Sequence, residues 1–274
     1  MNDLCLGNCG TLAPAITGAL EYLDSKNLLD IKNFHGTSGG ALIGLLYIVG
    51  YKPREIVFKM ENIISFDSIT YDFINVQKNL GIIQGGLLDK IIEPLFEKDI
   101  KDKNITIGDF SNKTGVNINI YVTDTYNKKR TNFNNIDNPK VKLSDALKAS
   151  MSIPILFEPV KISDIYYTDG GICDCLGTAQ NTYIHGYTII ILPPVPIKKN
   201  KYDFEKMTIN NLLFNLLDTI RPMIKPQSTY TISIHVPNHE RGIAFFKLND
   251  TKYLNTMTAE YYKTGLNAAK EQLE

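Results

Sequence analysis

The chain has 274 residues, 43% of them hydrophobic and 21% charged, which excludes a disordered chain and is ample for a sizeable core. Lys plus Arg and Asp plus Glu both count 29, so the net charge is zero. That balance argues against a nucleic-acid binder and against long-range steering onto an anionic membrane.

Leu4 to Leu6 form a short apolar run that enters the turn Gly7-Asn8-Cys9-Gly10-Thr11, which reads as a strand followed by a glycine-bearing loop. Residues 14–26 predict a helix with Ile16, Ala19, Leu20 and Leu23 on one face. Residues 31–35 predict a second strand, and Gly36-Thr37-Ser38-Gly39-Gly40 a tight turn. Residues 41–51 are apolar on all sides, the pattern of a buried helix. Further helices are expected at 53–64 and 86–98, with an aromatic and polar stretch at 66–84 between them that has no clear period.

Val116, Ile118, Ile120 and Val122 alternate as one face of a strand at 116–123. A short helix is expected at 143–150, opened by Ser144-Asp145, and a strand at 166–168 that runs into Asp169-Gly170-Gly171. Residues 187–192 read as a buried parallel strand. A rigid loop at Pro193-Pro194-Val195-Pro196, a helix at 207–220, strands at 231–236 and 243–248 and an amphipathic helix at 251–273 complete the chain. Strands alternating with helices predict an α/β fold with a mostly parallel central sheet flanked by helices.

Cys5, Cys9, Cys173 and Cys175 are too few for a disulfide framework and have no zinc spacing, so they read as ordinary reduced thiols, with no metal and no cofactor expected. The N-terminus lacks a signal-peptide pattern, and the longest apolar run, 41–49, is far short of the roughly 20 residues of a spanning helix. An intracellular, cytoplasmic protein with at most peripheral membrane contact is expected. Lys128-Lys129-Arg130 reads as a solvated face. Ile, Asn and Lys are abundant, Trp is absent and Arg is held to four residues, the usage of AT-rich genomes.

Gly36-Thr37-Ser38-Gly39-Gly40 has the G-x-S-x-G form of a nucleophile elbow, between a predicted strand and a predicted helix as that motif demands. Gly36 and Gly40 let strand and helix approach, and Ser38 is left at a helix N-terminus that favours developing negative charge. The turn at Cys9, Gly10 and Thr11 ends the preceding strand, so it belongs at the same sheet edge, where its N–H groups suit an oxyanion. It lacks the ending of a phosphate-binding P-loop. A base for Ser38 could come from His235 or His239, or from a carboxylate, Asp169, with His35 read as a packed or capping residue.

The chain resembles the patatin-like phospholipases over roughly residues 4–180. Gly36 to Gly40 is similar to that family's serine elbow, and Asp169-Gly170-Gly171 to its D-G-[AG] motif. The blocks from Leu143 to Pro154 and from Phe157 to Val160 resemble the segment upstream of that aspartate, and Val122-Thr123-Asp124 the strand before it. The resemblance implies a patatin-like three-layer domain over 1–274, with the motif-bearing core at about 4–180 and its completion at about 181–274. It implies a Ser–Asp dyad, with Ser38 as nucleophile and Asp169 as general base in surroundings that raise its basicity. The substrate class is then phospholipid or acylglycerol, without calcium.

Two departures stand out. Asn8, Leu12 and Ala13 replace residues of the family's glycine-rich loop, and Cys173-Asp174-Cys175 stands where it has Asn-x-Pro. A patatin-like fold that binds lipid or a partner without turnover, and an acyltransferase that uses the same dyad, are the alternative readings.

Overall fold

The computed structural model describes residues 1–64, 80–83, 86–174, 176–179, 182–192, 223–236 and 251–274. The first apolar run becomes β1 (Asp3–Leu6), followed by a 3-10 turn at Gly10–Leu12 and helix α1 (Ala13–Ser25), with Pro14 tolerated at its start. Strand β2 (Asn33–Thr37) leads into α2 (Gly39–Ile48), and α3 (Pro53–Ile64) follows. Helix α2 starts two residues earlier than expected because Gly39 and Gly40 are its first turn.

The single helix expected at 86–98 is divided. It runs as α4 (Leu87–Ile92) and tightens to 3-10 over Glu93–Phe96, where Pro94 cannot donate to an α-helical ladder. Helix α5 (Ile107–Thr114) was not anticipated, although its signals are local: Thr106 accepts from the Asp109 N–H at 3.2 Å, and Gly115 ends it at φ 71°.

Next come β3 (Asn117–Asp124) and β4 (Lys129–Asn134), then α6 (Leu143–Met151), β5 (Val160–Ile162) and β6 (Ile165–Asp169). Strand β4 carries no apolar alternation and β5, Val160-Lys161-Ile162, alternates over only three residues, so the sequence pattern passes over both. Helix α6 is entered from Lys142 in extended conformation, so Ser144 and Asp145 lie inside its first turn and do not cap it. Strands β7 (Ile184–Ile191) and β8 (Ser228–Ile234) and helix α7 (Thr251–Leu273) end the described chain. The loop expected at 193–196, the helix at 207–220 and the strand at 243–248 lie outside the described residues, as do 66–79 and 84 of the aromatic stretch.

The eight described strands form one sheet in the order β5-β6-β3-β2-β1-β7-β8, with β4 also paired to β3. The run β3-β2-β1-β7-β8 is parallel, while β4, β5 and β6 pair antiparallel. Leu4, Leu6, Phe34, Ile118, Ile120 and Val122 face one way and are fully buried. Cys5, His35, Thr37, Tyr121 and Thr123 face the other, so the sheet has one apolar and one mixed face. Helix α7 lies along α1, where the Tyr22 hydroxyl donates to Glu274 Oε1 at 3.2 Å, and Gln272 brackets the backbone of Ser233 on β8.

Register decides where the site forms. Thr37 lies opposite Tyr121, and Asp169 lies opposite Val122. Tyr121 and Val122 are consecutive on β3, so the end of β2 and the end of β6 meet.

Candidate active site

Ser38 is the one residue between β2 and α2. Its φ of 54° and ψ of −132° put a non-glycine residue in a left-handed conformation. Tight packing holds it there. A Cβ at Gly40 would collide with the carbonyls of Leu6 and Gly7, and one at Gly36 would lie 2.5 Å from the Ala41 Cα. Glycine is needed at both positions, as expected from the sequence, because α2 approaches β1 and β2 this closely.

The Ser38 hydroxyl donates to Asp169 Oδ2 at 2.5 Å across 131 positions of sequence. The other carboxylate oxygen accepts from the Gly171 N–H at 2.7 Å, so Asp169 caps the short 3-10 turn Gly170–Ile172 and is oriented by it. The Asp169 N–H donates to Ser152 O at 2.9 Å, and Asp169 O accepts from the Thr123 hydroxyl at 2.8 Å. Ser38 and Asp169 are each only 4% exposed. The two residues singled out from sequence are thus brought together.

The described histidines make no contact with Ser38. His35 is buried on the mixed face with Nδ1 3.0 Å from the Tyr121 hydroxyl, and burial lowers its pKa to about 4. His235 is exposed just past the end of β8, and His239 lies outside the described residues. Among the described residues, Asp169 is the hydrogen-bond partner of the Ser38 hydroxyl.

The loop at Cys9, Gly10 and Thr11 stands beside the serine. Gly10 and Thr11 line the same pocket as Ser38 and Gly39. The Leu12 N–H is used by Cys9 O at 2.9 Å. Cys9 is buried with its sulfur against Gly39, and burial, reinforced by the Asp169 charge, raises its thiol pKa far above the ordinary range. Asn8, the first departure from the expected loop, wedges its side chain between Gly171 and Gly177, where no Cβ would fit beside it.

The pocket measures about 650 Å³ with its open mouth. Ser38, Gly39, Gly10 and Thr11 line it together with Leu42, Met60, Leu88, Ile91, Met151 and Phe157. Apolar walls beside Ser38 suit an apolar group next to one polar reaction point.

Several supporting residues were missed from sequence. Ser150 accepts from the Ser38 N–H at 2.8 Å and donates to Tyr121 O at 2.6 Å. Arg130, read as part of a solvated run, has a buried side chain. It pairs with Asp174 at 3.0 Å, the two side chains being 2% and 0% exposed. The signal for it was chemical: arginine is rare in this lysine-rich chain, and a planar fork suits a buried carboxylate better than an ammonium. Among the described residues no group of three or more His, Cys, Asp or Glu side chains could hold a metal ion. No described helix is long and apolar enough to cross a membrane.

An α/β protein with a serine elbow and a buried aspartate at the carboxyl edge of its parallel strands, opening on an apolar chamber, is the class that fold and site define. The chain belongs to the patatin-like phospholipase family, whose model matches residues 4–180, which places it among lipid hydrolases at the level of the family. It is 26% identical over 243 residues to the probable lipid hydrolase 463L of Invertebrate iridescent virus 6, covering 88% of this chain and 75% of that protein. It is 28% identical over 181 residues to the uncharacterized protein R571 of Acanthamoeba polyphaga mimivirus, covering 62% of this chain and 58% of that one. The fold is shared with VipD from Legionella pneumophila, at a TM-score of 0.50 and 12% identity, over 99% of this chain and 67% of that chain.

Proposed function

We propose that the protein is a serine lipid acyl hydrolase that cleaves carboxylic esters of phospholipids or acylglycerols. The observation that carries this reading is the 2.5 Å contact of the Ser38 hydroxyl, which lines the apolar pocket, with the buried Asp169 carboxylate. Asp169 Oδ2 takes the hydroxyl proton as Ser38 Oγ attacks the ester carbonyl. The carbonyl oxygen becomes an oxyanion, met by the N–H groups of the Gly10–Thr11 turn; Cys9, whose carbonyl is taken by Leu12, shapes that turn. The alcohol leaves with the proton that Asp169 held, and Ser38 keeps the acyl group. Water then gives a proton to Asp169 and attacks the acyl-enzyme, and the proton returns to Ser38 as the fatty acid departs. Gly171 keeps one carboxylate oxygen fixed throughout, so the other faces the serine in every step.

The test is release of fatty acid from a short-chain ester and from phospholipid vesicles by wild type, Ser38→Ala and Asp169→Asn, with fluorophosphonate labelling beside it. Ser38→Ala is expected to fall to background and to lose the label. Asp169→Asn is expected to lose about 10²–10⁴-fold in kcat. A wild type equal to Ser38→Ala on every substrate, and unlabelled, would overturn the reading.

A further inference from the structure

Arg130 and Asp174 are a buried ion pair on the mixed face of the sheet, beneath the elbow. Arg130 leaves β4 opposite Thr123 and crosses the ring of Tyr121, with its guanidinium carbon 4.2 Å from the ring centroid. One fork nitrogen, Nη1, meets Asp174 Oδ2 at 3.0 Å, and the other, Nη2, donates to the Thr37 hydroxyl at 3.0 Å. Thr37 in turn donates to Gly177 O at 2.8 Å.

Asp174 gathers its own loop. Its two oxygens accept from the N–H groups of Leu176, Thr178 and Ile224 and from the Thr178 hydroxyl, at 2.8–3.3 Å. That loop continues directly from the 3-10 turn that Asp169 caps. Thr37 is the residue before Ser38. One guanidinium therefore ties the strand that presents Ser38 to the loop that follows Asp169. Tyr121, lying under the guanidinium, also offers the carbonyl that holds Ser150, which holds the Ser38 N–H.

Stability alone is a weak reason for such a pair. Buried ion pairs are often replaceable by apolar residues of similar volume at no loss of stability. Here the Arg130 Nε is also buried without a hydrogen-bond partner among the described residues, an added cost. The guanidinium makes two directed contacts, one to each arm of the site, which a lysine ammonium on a flexible stem would not reproduce. The family's expected Asn-x-Pro is absent downstream of Asp169, and Asp174 occupies that stretch.

We infer that Arg130 and Asp174, acting through Thr37, are positioning residues that set the reach of Ser38 to Asp169. The inference rests on the Ser38–Asp169 reading above. A misplacement of reacting groups on the order of 1 Å lowers turnover by roughly 10²-fold, whereas the apolar pocket that binds substrate has other walls. The expected signature is a loss in kcat with KM kept.

Three variants test it: Thr37→Val, Arg130→Lys, and the apolar double replacement Arg130→Met with Asp174→Leu. For each, kcat and KM on a soluble short-chain ester, the rate of fluorophosphonate labelling and the thermal midpoint are measured. The double variant is expected to melt below wild type, because Asp174→Leu takes the acceptor from the Leu176, Thr178 and Ile224 N–H groups, and its kcat and labelling rate are expected to fall roughly 10–100-fold at unchanged KM. Thr37→Val keeps side-chain shape and is expected to show the same split. Wild-type kcat in a folded double variant or in Thr37→Val would overturn the inference, as would losses that follow KM or the thermal midpoint alone. If the arginine variants fail to fold, Thr37→Val decides. A wild type that neither turns over nor labels would overturn the proposed function instead.

Discussion

Ser38 carries the cost of its position in its own backbone. A non-glycine residue at φ 54° is strained by about 1–3 kcal/mol, and the packing of α2 against β1 and β2 over-determines it. Its N–H, which cannot join the helix, is met by Ser150. Ser150 lies on the last turn of α6, fully buried, and bonds in both directions. Ser150→Ala should leave the Ser38 N–H and the Tyr121 carbonyl with one partner fewer, at a cost of roughly 1–3 kcal/mol. A urea titration should show the lower midpoint, and turnover should fall as well, because the elbow loses a restraint. Unchanged stability would mean that water replaces the hydroxyl.

At the scale of elements, the mixed face of the sheet makes a pH dependence. His35 on β2 is neutral in the folded protein, because burial drives its pKa from 6.5 down to about 4. Asp3 on β1 opposes that shift and Arg130 on β4 adds to it, while Tyr121 on β3 holds Nδ1. The unfolded chain takes up the proton first. This contribution is therefore whole above pH 6.5, is lost as pH falls from 6.5 towards about 4, and changes no further below that. The loss is on the order of 3 kcal/mol. Urea midpoints between pH 7 and pH 5 should fall more steeply for wild type than for His35→Gln; parallel curves would count against it. The same face explains why elements were missed: β4 is polar because its partners are Tyr121, Asn119 and Thr123, so no apolar alternation marks it.

For the whole molecule, zero net charge has a consequence at a lipid surface. Without a basic surplus, vesicle engagement should rest on apolar contact and capture of substrate in the pocket. Turnover on neutral and anionic vesicles should differ by less than about threefold, and raising salt should change it little. A steep fall with salt on anionic vesicles alone would show a local basic patch at work.

Some of this protein was determined by the sequence alone. Apolar runs and glycine turns carry their own periods, so β1, α1, α2, α3 and α7 were legible, as were the short glycine motifs that hold Ser38 and Asp169. Only the tertiary structure decided what surrounds them. The Thr37–Tyr121 and Asp169–Val122 register that joins the two motifs, the Ser150 bridge and the burial of Arg130 against Asp174 are contacts across 29 to 112 positions. No local period encodes them, because they arise only when the strands align.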